Sequence, residues 1–177
     1  MADARWRVRR ADARDVDEVT RVLHAAARRM LADGWPNWDP PYPRDRIAAD
    51  IDEREVYVAA DADGGAVAAT FTLGPTAPRP YDPAPWRDPS APALYLNRLA
   101  VDPAITGRGL GGWCLGEIAR VGAERGVPWV RCDVLAPNER LRALYERHGY
   151  VARGERAHSG FVFVAYEAPV PARSARH

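Results

Sequence analysis

The feature that most constrains the fold is a single strand–helix–strand unit in the second half of the chain. Residues 93–101 (ALYLNRLAV) read as a strand, residues 110–125 as a helix, and residues 127–135 (VPWVRCDVL) as a second strand. The helix carries the chain back to the end at which the first strand began, so the two strands run in parallel. The sequence therefore predicts one parallel strand pair at this place in a sheet.

The remaining pattern predicts antiparallel strands and three further helices. Alternation in residues 6–10 indicates a first strand, and Asp12 is a suitable N-cap for a long helix that Gly34 ends. The other expected elements are a helix over 44–53, strands over 55–61 and 66–73, a helix over 138–148, and strands over 149–156 and 160–167. Such an order favours an α+β fold with a mostly antiparallel, twisted sheet that contains one parallel pair.

The composition limits the classes of function. The chain has 25 basic and 24 acidic residues, and a net charge of +1 excludes binding to nucleic acid or membranes through bulk positive charge. All of the basic residues are Arg, which excludes Schiff-base chemistry on lysine and a GxxxxGK[ST] loop. Two cysteines, Cys114 and Cys132, are too few for a disulfide scaffold or a thiolate metal site.

The first ten residues do not predict a signal peptide. MADARWRVRR lacks the apolar core of a signal peptide, and no run approaches the ~18 apolar residues of a membrane span. We therefore expect a cytoplasmic protein with no nucleic-acid or membrane partner. Residues 1–168 are expected to form a single domain, and residues 169–177 a disordered tail.

Gly107-Arg108-Gly109-Leu110-Gly111-Gly112 forms a glycine-rich turn between a strand and a helix. Glycine permits positive φ and lets backbone N–H groups approach an anion, and the helix N-terminus adds partial positive charge. The segment is thus a candidate phosphate site. It also matches G-x-G-x-x-G with Asp133 beyond it, as dinucleotide-binding proteins do. Against that alternative, five residues separate the segment from the strand, and the chain ends too soon for a second nucleotide-binding half.

Asn138 and Tyr145 lie seven residues apart on one predicted helix. Seven residues make almost two turns, so both side chains point the same way, roughly 10 Å apart along the axis. By themselves they also fit an N-cap and a packed aromatic residue.

Together these segments are similar to a known family. L-A-V-D-P at 99–103, G-R-G-L-G-G at 107–112 and N-E-R-L-R-A-L-Y-E-R-H-G-Y at 138–150 resemble the GNAT superfamily of acyl-CoA-dependent N-acetyltransferases. The resemblance covers residues 94–153 closely. It implies a GNAT-like sheet in which the strands 94–101 and 127–135 splay apart around the cosubstrate acetyl-CoA. The residues that it implies for acetyl-CoA binding are Leu99, Ala100, Val101, Thr106, Gly107, Arg108, Gly109, Leu110, Gly111, Gly112, Asn138, Arg140, Tyr145 and Arg147.

The resemblance also implies their roles. Backbone groups of residues 99–101 would pair with the pantetheine arm, and N–H groups of residues 107–112 would hold the pyrophosphate. Asn138 would bond the pantetheine region, and Tyr145 would protonate the departing CoA thiolate. Thr106 stands where the family pattern usually begins with Gln or Arg, so nearby arginines would supply the missing positive charge.

The implied activity is direct transfer of an acetyl group from acetyl-CoA to a primary amine of a small molecule, with Tyr145 as general acid and no metal. Some family members carry a Glu on the strand 94–101, and this chain has none there. Asn97 is placed to orient a water, and Asp133 is either a base or a carboxylate paired with Arg131. We expect a base that acts through water. The resemblance allows a homodimer.

The acceptor side is expected to involve the proline-rich residues 74–92, which contain seven prolines and are either a loose surface insertion or a shaped loop. Aromatic walls with one carboxylate suit a cationic amine with apolar surface. The acceptor candidates are Trp35, Trp38, Asp39, Tyr81, Trp86, Asn97 and His158. Two alternatives stay open: a non-catalytic acyl-CoA-binding sensor on the same fold, and a fragment of a dinucleotide-binding oxidoreductase.

Overall fold

The computed structural model describes residues 5–78, 81 and 83–172. In this part of the chain seven strands and four helices follow one another in the predicted order. The strands are β1 (Trp6–Arg10), β2 (Glu55–Asp61), β3 (Val67–Gly74), β4 (Ala93–Val101), β5 (Trp129–Leu135), β6 (Val151–His158) and β7 (Phe161–Pro169). The helices are α1 (Val16–Ala32), α2 (Arg44–Glu53), α3 (Leu110–Glu124) and α4 (Glu139–Arg147).

The seven strands form one mixed sheet in the order β1-β2-β3-β4-β5-β7-β6. β4 and β5 pair in parallel from Ala93↔Trp129 to Tyr95↔Arg131. The pairs β1–β2, β2–β3, β5–β7 and β6–β7 are antiparallel. The α+β sheet with one parallel pair, which the order of elements predicts, is therefore confirmed.

The chain is divided into two compact units. The first, here the N-terminal unit, comprises Met1–Leu73 and Arg98–Cys114. The second, the C-terminal unit, comprises Gly74–Asn97 and Leu115–His177. The expectation of a single domain over residues 1–168 stays a prediction.

The core of the N-terminal unit joins one face of α1 and α2 to the strands β2 and β3. Its buried side chains include Val19, Val22, Leu23, Ile47, Ile51, Val56 and Val58. Contrary to the prediction, Asp12 does not cap α1 itself but a short 3-10 turn (Ala13–Asp15) that leads into it, and the N-cap of α1 is Asp15. The Asp12 carboxylate accepts the Arg14 N–H, and the Asp15 carboxylate accepts the Asp12 N–H. These are the reciprocal bonds of a capping box, which satisfy donors that a helix start otherwise leaves unpaired.

The core of the C-terminal unit centres on β5 and β7. β7 lies between β5 and β6 in the sheet, and its residues from Val164 to Ala168 are all buried. Two residues that were expected in the tail are held by the structure: β7 includes Pro169, and the Val170 N–H donates to the Pro128 carbonyl at 2.8 Å. Residues 173–177 of that tail lie outside the described residues.

None of the helices in the described ranges is long and apolar enough to cross a membrane. The cytoplasmic location and the homodimer stay predictions.

Candidate active site

The glycine-rich turn lies at the start of α3 in the N-terminal unit. Gly107 and Gly109 have φ of 87° and 77°, values that side-chain-bearing residues rarely adopt. A Cβ atom at either position would meet nothing within 4 Å, so this side of the turn is open. Leu110, the first helical residue, is buried at 2% exposure and anchors the turn. The local geometry suits the binding of an anion by backbone N–H groups, as the sequence predicts.

Asp102 attaches this turn to the rest of its unit. Its N–H donates to the Ala68 carbonyl at 2.8 Å, and its carboxylate accepts the Ala104 N–H at 3.0 Å and Arg21 Nη1 at 2.5 Å. Burial acts to raise the pKa of Asp102, but the bonds from Arg21 and Ala104 outweigh it and lower the pKa. The Thr106 hydroxyl lies 3.4 Å from the Asp102 carbonyl oxygen, within the same turn.

The second half of β4 contains a feature that sequence analysis missed. Arg98 has a φ of 54°, and its guanidinium forms an ion pair with Asp50 of α2. Leu99 and Val101 are half-buried, and Ala100 is buried. Alternation places Arg98 on the opposite face from Asn97 and Leu99, but no sequence signal indicates a left-handed conformation at an arginine.

In the C-terminal unit the paired parts of β4 and β5 end at Tyr95 and Arg131. Arg131 Nη1 lies 3.3 Å from Tyr95 Oη, so these two side chains share one face of the sheet. Asn97 and Asp133 each follow two residues later and project to that same face, since side chains alternate along a strand. Asn97 on β4 and Asp133 on β5 thus occupy equivalent positions, each two residues beyond the last paired residue of its strand.

Asp133 does not pair with Arg131, so that expectation is wrong. Arg131 Nε donates to Glu167 Oε2 at 3.2 Å, because Glu167 is its direct partner across β5 and β7. Asp133 Oδ2 instead accepts Arg156 Nη2 at 2.6 Å and the Tyr81 hydroxyl at 3.1 Å. Residues that face each other across neighbouring strands approach more closely than residues i and i+2 of one strand.

Tyr81 and Trp86 show that the described part of the proline-rich segment is a shaped loop. The Arg156 Cζ atom lies 3.9 Å from the centre of the Tyr81 ring, and burial followed by the charge of Asp133 raises the pKa of the Tyr81 phenol. Trp86 is 6% exposed and contacts the rings of Tyr81 and Tyr95 at 4.7 Å and 6.2 Å between centroids. Tyr81, Trp86 and Asp133 therefore lie together in one cluster.

Asn138 is the N-cap of α4, as the sequence predicts. Its Oδ1 atom accepts the Leu141 N–H at 3.1 Å. None of the hydrogen bonds found in the described residues uses Nδ2, so that group is the part of Asn138 suited to a ligand. Arg140 and Arg147 are exposed on the same helix.

Tyr145 is held between two other tyrosine rings. It is 6% exposed, meets Tyr150 edge-on at 5.1 Å and lies nearly parallel to Tyr166 at 6.3 Å. The Tyr166 hydroxyl accepts from Arg142 Nε at 3.0 Å and donates to Glu146 Oε1 at 2.7 Å. Because these bonds fix Tyr166, the ring of Tyr145 has a defined orientation.

The other acceptor candidates are distributed over the two units. In the N-terminal unit Trp35 and Trp38 are half-buried and Asp39 is exposed, with the rings of Trp38 and Tyr42 in edge contact at 5.9 Å. In the C-terminal unit His158 Nε2 lies 2.8 Å from Ser159 Oγ at the turn between β6 and β7.

The described ranges contain no group of three or more His, Cys, Asp or Glu side chains that could hold a metal.

Comparison with known proteins identifies the family. Residues 23–150 match the acetyltransferase (GNAT) family. The chain is 26% identical over 152 residues to the putative phosphinothricin acetyltransferase YwnH of Bacillus subtilis (strain 168). The aligned region covers 83% of this chain and 85% of that protein.

Solved structures agree with this match. A GNAT-family acetyltransferase from Listeria monocytogenes 4b F2365 is 26% identical with a TM-score of 0.72, over 93% of this chain and 94% of that one. Another from Streptococcus agalactiae 2603 is 22% identical and shares the fold with a TM-score of 0.81, over 93% and 95% of the two chains. GNAT acetyltransferases use acetyl-CoA. The chain is therefore an acyltransferase that belongs to the GNAT acetyltransferase family.

Proposed function

We propose that this chain transfers the acetyl group of acetyl-CoA directly to the primary amine of a small molecule. The observation that carries the proposal is the open, left-handed glycine pair Gly107 and Gly109 in front of α3. Backbone N–H groups of residues 107–112 bind the pyrophosphate there, and Arg108 adds positive charge. Acetyl-CoA supplies the activated acyl group when it is bound.

Three further parts of the chain bind and orient the same molecule. Backbone groups of Leu99, Ala100 and Val101 pair with its pantetheine arm. The Nδ2 group of Asn138 donates to the pantetheine region, because the Oδ1 atom is occupied by the helix cap. The exposed Arg140 and Arg147 of α4 add charge for the phosphates.

Tyr145 is the general acid of the proposal. A phenol suits this role because it donates a proton to a thiolate without carrying a charge at rest. The neighbouring rings of Tyr150 and Tyr166 restrict the orientation of Tyr145. A side chain that is already oriented loses less conformational entropy on reaching the reactive geometry. N–H groups near Leu99 and Ala100 donate to the thioester carbonyl oxygen and stabilise its developing charge.

The amine passes its proton through a bound water to the Asp133 carboxylate, and Asn97 orients that water. Both described hydrogen bonds of Asp133 end on Oδ2, from Arg156 and from Tyr81. Its Oδ1 atom accepts no hydrogen bond from the residues that the structure describes, so that oxygen can accept one from a water or from the amine. Asn97 cannot take up a proton at neutral pH and acts by orientation alone.

Tyr81 and Trp86 offer apolar surface to the acceptor. Because Arg156 already lies over the Tyr81 ring and pairs with Asp133 Oδ2, the amine of the acceptor is left the Oδ1 atom of Asp133. Trp35, Trp38, Asp39 and His158 complete the set of proposed acceptor residues.

A thiol-release assay tests the proposal. Acetyl-CoA is mixed with a panel of amines that includes phosphinothricin, polyamines and amino acids, and CoA is detected with 5,5′-dithiobis(nitrobenzoate). We expect turnover of at least one amine, a roughly 10²-fold lower kcat for Tyr145→Phe, and near-normal kcat for the control Tyr150→Phe. Equal rates for Tyr145→Phe and wild type at every pH would show that Tyr145 is not the general acid.

Calorimetry with acetyl-CoA and thermal unfolding with NAD(H) or CoA test the two alternatives, neither of which the family match favours. Binding of acetyl-CoA without turnover of any amine would favour the non-catalytic sensor. Stabilisation by NAD(H) and none by CoA would favour the dinucleotide-binding alternative.

A further inference from the structure

Arg98 interrupts β4 with a left-handed backbone. Its φ is 54°, and it lies directly before Leu99, Ala100 and Val101 in the N-terminal unit. A residue with a Cβ atom disfavours this conformation, because the Cβ approaches the following carbonyl oxygen. Such a backbone persists only where the surroundings hold it.

The side chain of Arg98 is held at its far end by Asp50. The two form an ion pair, with the side chain of Asp50 only 3% exposed and that of Arg98 14% exposed. Arg46 Nε and Arg54 Nη1 approach the other carboxylate oxygen at 3.4 Å and 3.7 Å. Asp50 thus lies among three arginines, and of these only Arg98 donates a hydrogen bond to its carboxylate within the described residues.

Tyr42 covers the other side of the same guanidinium. The Arg98 Cζ atom lies 3.9 Å from the centre of the Tyr42 ring, and the Tyr42 carbonyl oxygen lies 2.8 Å from His24 Nε2 of α1. The guanidinium is therefore in contact with an aromatic face and a buried carboxylate at once, which leaves the Arg98 side chain little freedom to turn away.

We propose that Arg98 is a positioning residue: its ion pair with Asp50 keeps residue 98 left-handed and thereby sets the direction of the backbone at Leu99, Ala100 and Val101. This inference rests on the proposed function, which assigns those backbone groups to acetyl-CoA. If the backbone at residue 98 returns to an ordinary strand conformation, the N–H and carbonyl groups that follow rotate away from their native directions.

Two substitutions separate this role from a general contribution to stability. Arg98→Ala and Arg98→Gly both remove the ion pair and the contact with Tyr42. Only glycine adopts positive φ without steric cost, so only Arg98→Gly retains ready access to the native backbone. A merely structural role predicts lower thermal midpoints for both variants, because alanine is strained at positive φ and glycine makes the unfolded chain more flexible, but an equal acetyl-CoA affinity of the two folded proteins.

The measurement is the Kd for acetyl-CoA by calorimetry, with the thermal midpoint of each variant recorded without ligand. We expect acetyl-CoA binding roughly tenfold weaker in Arg98→Ala and within about threefold of wild type in Arg98→Gly, as the steric cost of the left-handed state implies. Equal Kd values for the two variants, or weaker binding by Arg98→Gly, would overturn the proposal.

The same comparison in an Asp50→Asn background guards against loss of folding. Arg98→Ala and Arg98→Gly alone would leave the charge of Asp50 buried without Arg98, and asparagine removes that charge. Asp50→Asn/Arg98→Gly should again bind acetyl-CoA more tightly than Asp50→Asn/Arg98→Ala, and the reverse order would overturn the proposal. Absence of acetyl-CoA binding by the wild-type protein would instead contradict the proposed function itself.

Discussion

Arg131 and Glu167 face each other as direct partners across β5 and β7, and their ion pair is buried at 1% and 0% side-chain exposure. The pair also holds the proline-rich segment. Arg131 Nη2 donates to the Asp88 carbonyl at 2.6 Å, and Glu167 Oε1 accepts the Arg87 N–H at 2.8 Å. The loop beside Asp133 is therefore attached to the two central strands of the C-terminal unit.

Glu167→Gln should destabilise the protein by about 3 kcal/mol, because Arg131 then remains buried without an anionic partner. Urea unfolding measures this change. The matched control is Glu117→Gln, which removes an exposed ion pair with Arg120 on α3 and should cost about 0.5 kcal/mol or less. Trypsin should also cleave after Arg87 faster in Glu167→Gln than in wild type. Equal losses of unfolding free energy in Glu167→Gln and Glu117→Gln would contradict the prediction.

Gly107→Ala and Gly109→Ala should weaken acetyl-CoA binding by about tenfold, because both positions need positive φ. Calorimetry with acetyl-CoA provides the measurement. Gly126→Ala is the matched control: Gly126 also has a positive φ, of 66°, but follows α3 rather than preceding it. It should lower stability and leave acetyl-CoA affinity unchanged. The binding role of the turn would be refuted if all three variants bound acetyl-CoA equally well.

Both thiols should be unreactive in the native protein. Cys114 is 0% and Cys132 4% exposed, and burial raises the pKa of the Cys132 thiol, so the reactive thiolate is suppressed. Native protein mixed with 5,5′-dithiobis(nitrobenzoate) should give no signal during an activity assay, and both cysteines should react after addition of guanidinium chloride. Rapid reaction of either thiol before unfolding would disagree with the burial seen in the structure.

Asp15 should make the free energy of unfolding fall as the pH is lowered into the acidic range. Arg9 donates two hydrogen bonds of 2.7 Å to its carboxylate, and these lower the pKa of Asp15 in the folded state. Because the folded pKa lies below the unfolded value of about 3.9, the stabilisation is present above that value and is lost as pH falls through the folded pKa.

Urea unfolding between pH 6 and pH 2 tests this, in the range that the carboxyl titrates. Asp15→Asn should lower stability at pH 6 and reduce its further decline in acid, and Arg9→Gln should act in the same direction. A decline in acid as steep in Asp15→Asn as in wild type would show that other carboxyl groups are responsible.

Local sequence signals predicted most of the elements that position the candidate site. The bounds of β4 and α2 agree with the predicted 93–101 and 44–53, and Asn138 caps α4 as expected. The ends of β5, β6 and β7 differ by one or two residues from prediction, because strand ends depend on the neighbouring strand as well as on propensity.

The amino-acid sequence by itself determined the order of elements and the glycine-rich turn at 107–112, since each depends on residues close together in the chain. It also determined membership of the family, through motifs that the match finds along residues 23–150. Only the tertiary structure decided which charges pair. Arg131 lies nearer in sequence to Asp133 but bonds Glu167, and Arg98 bonds Asp50, 48 residues away. An arginine pairs with the carboxylate that strand register and helix packing bring within reach, and sequence separation carries no information about that distance.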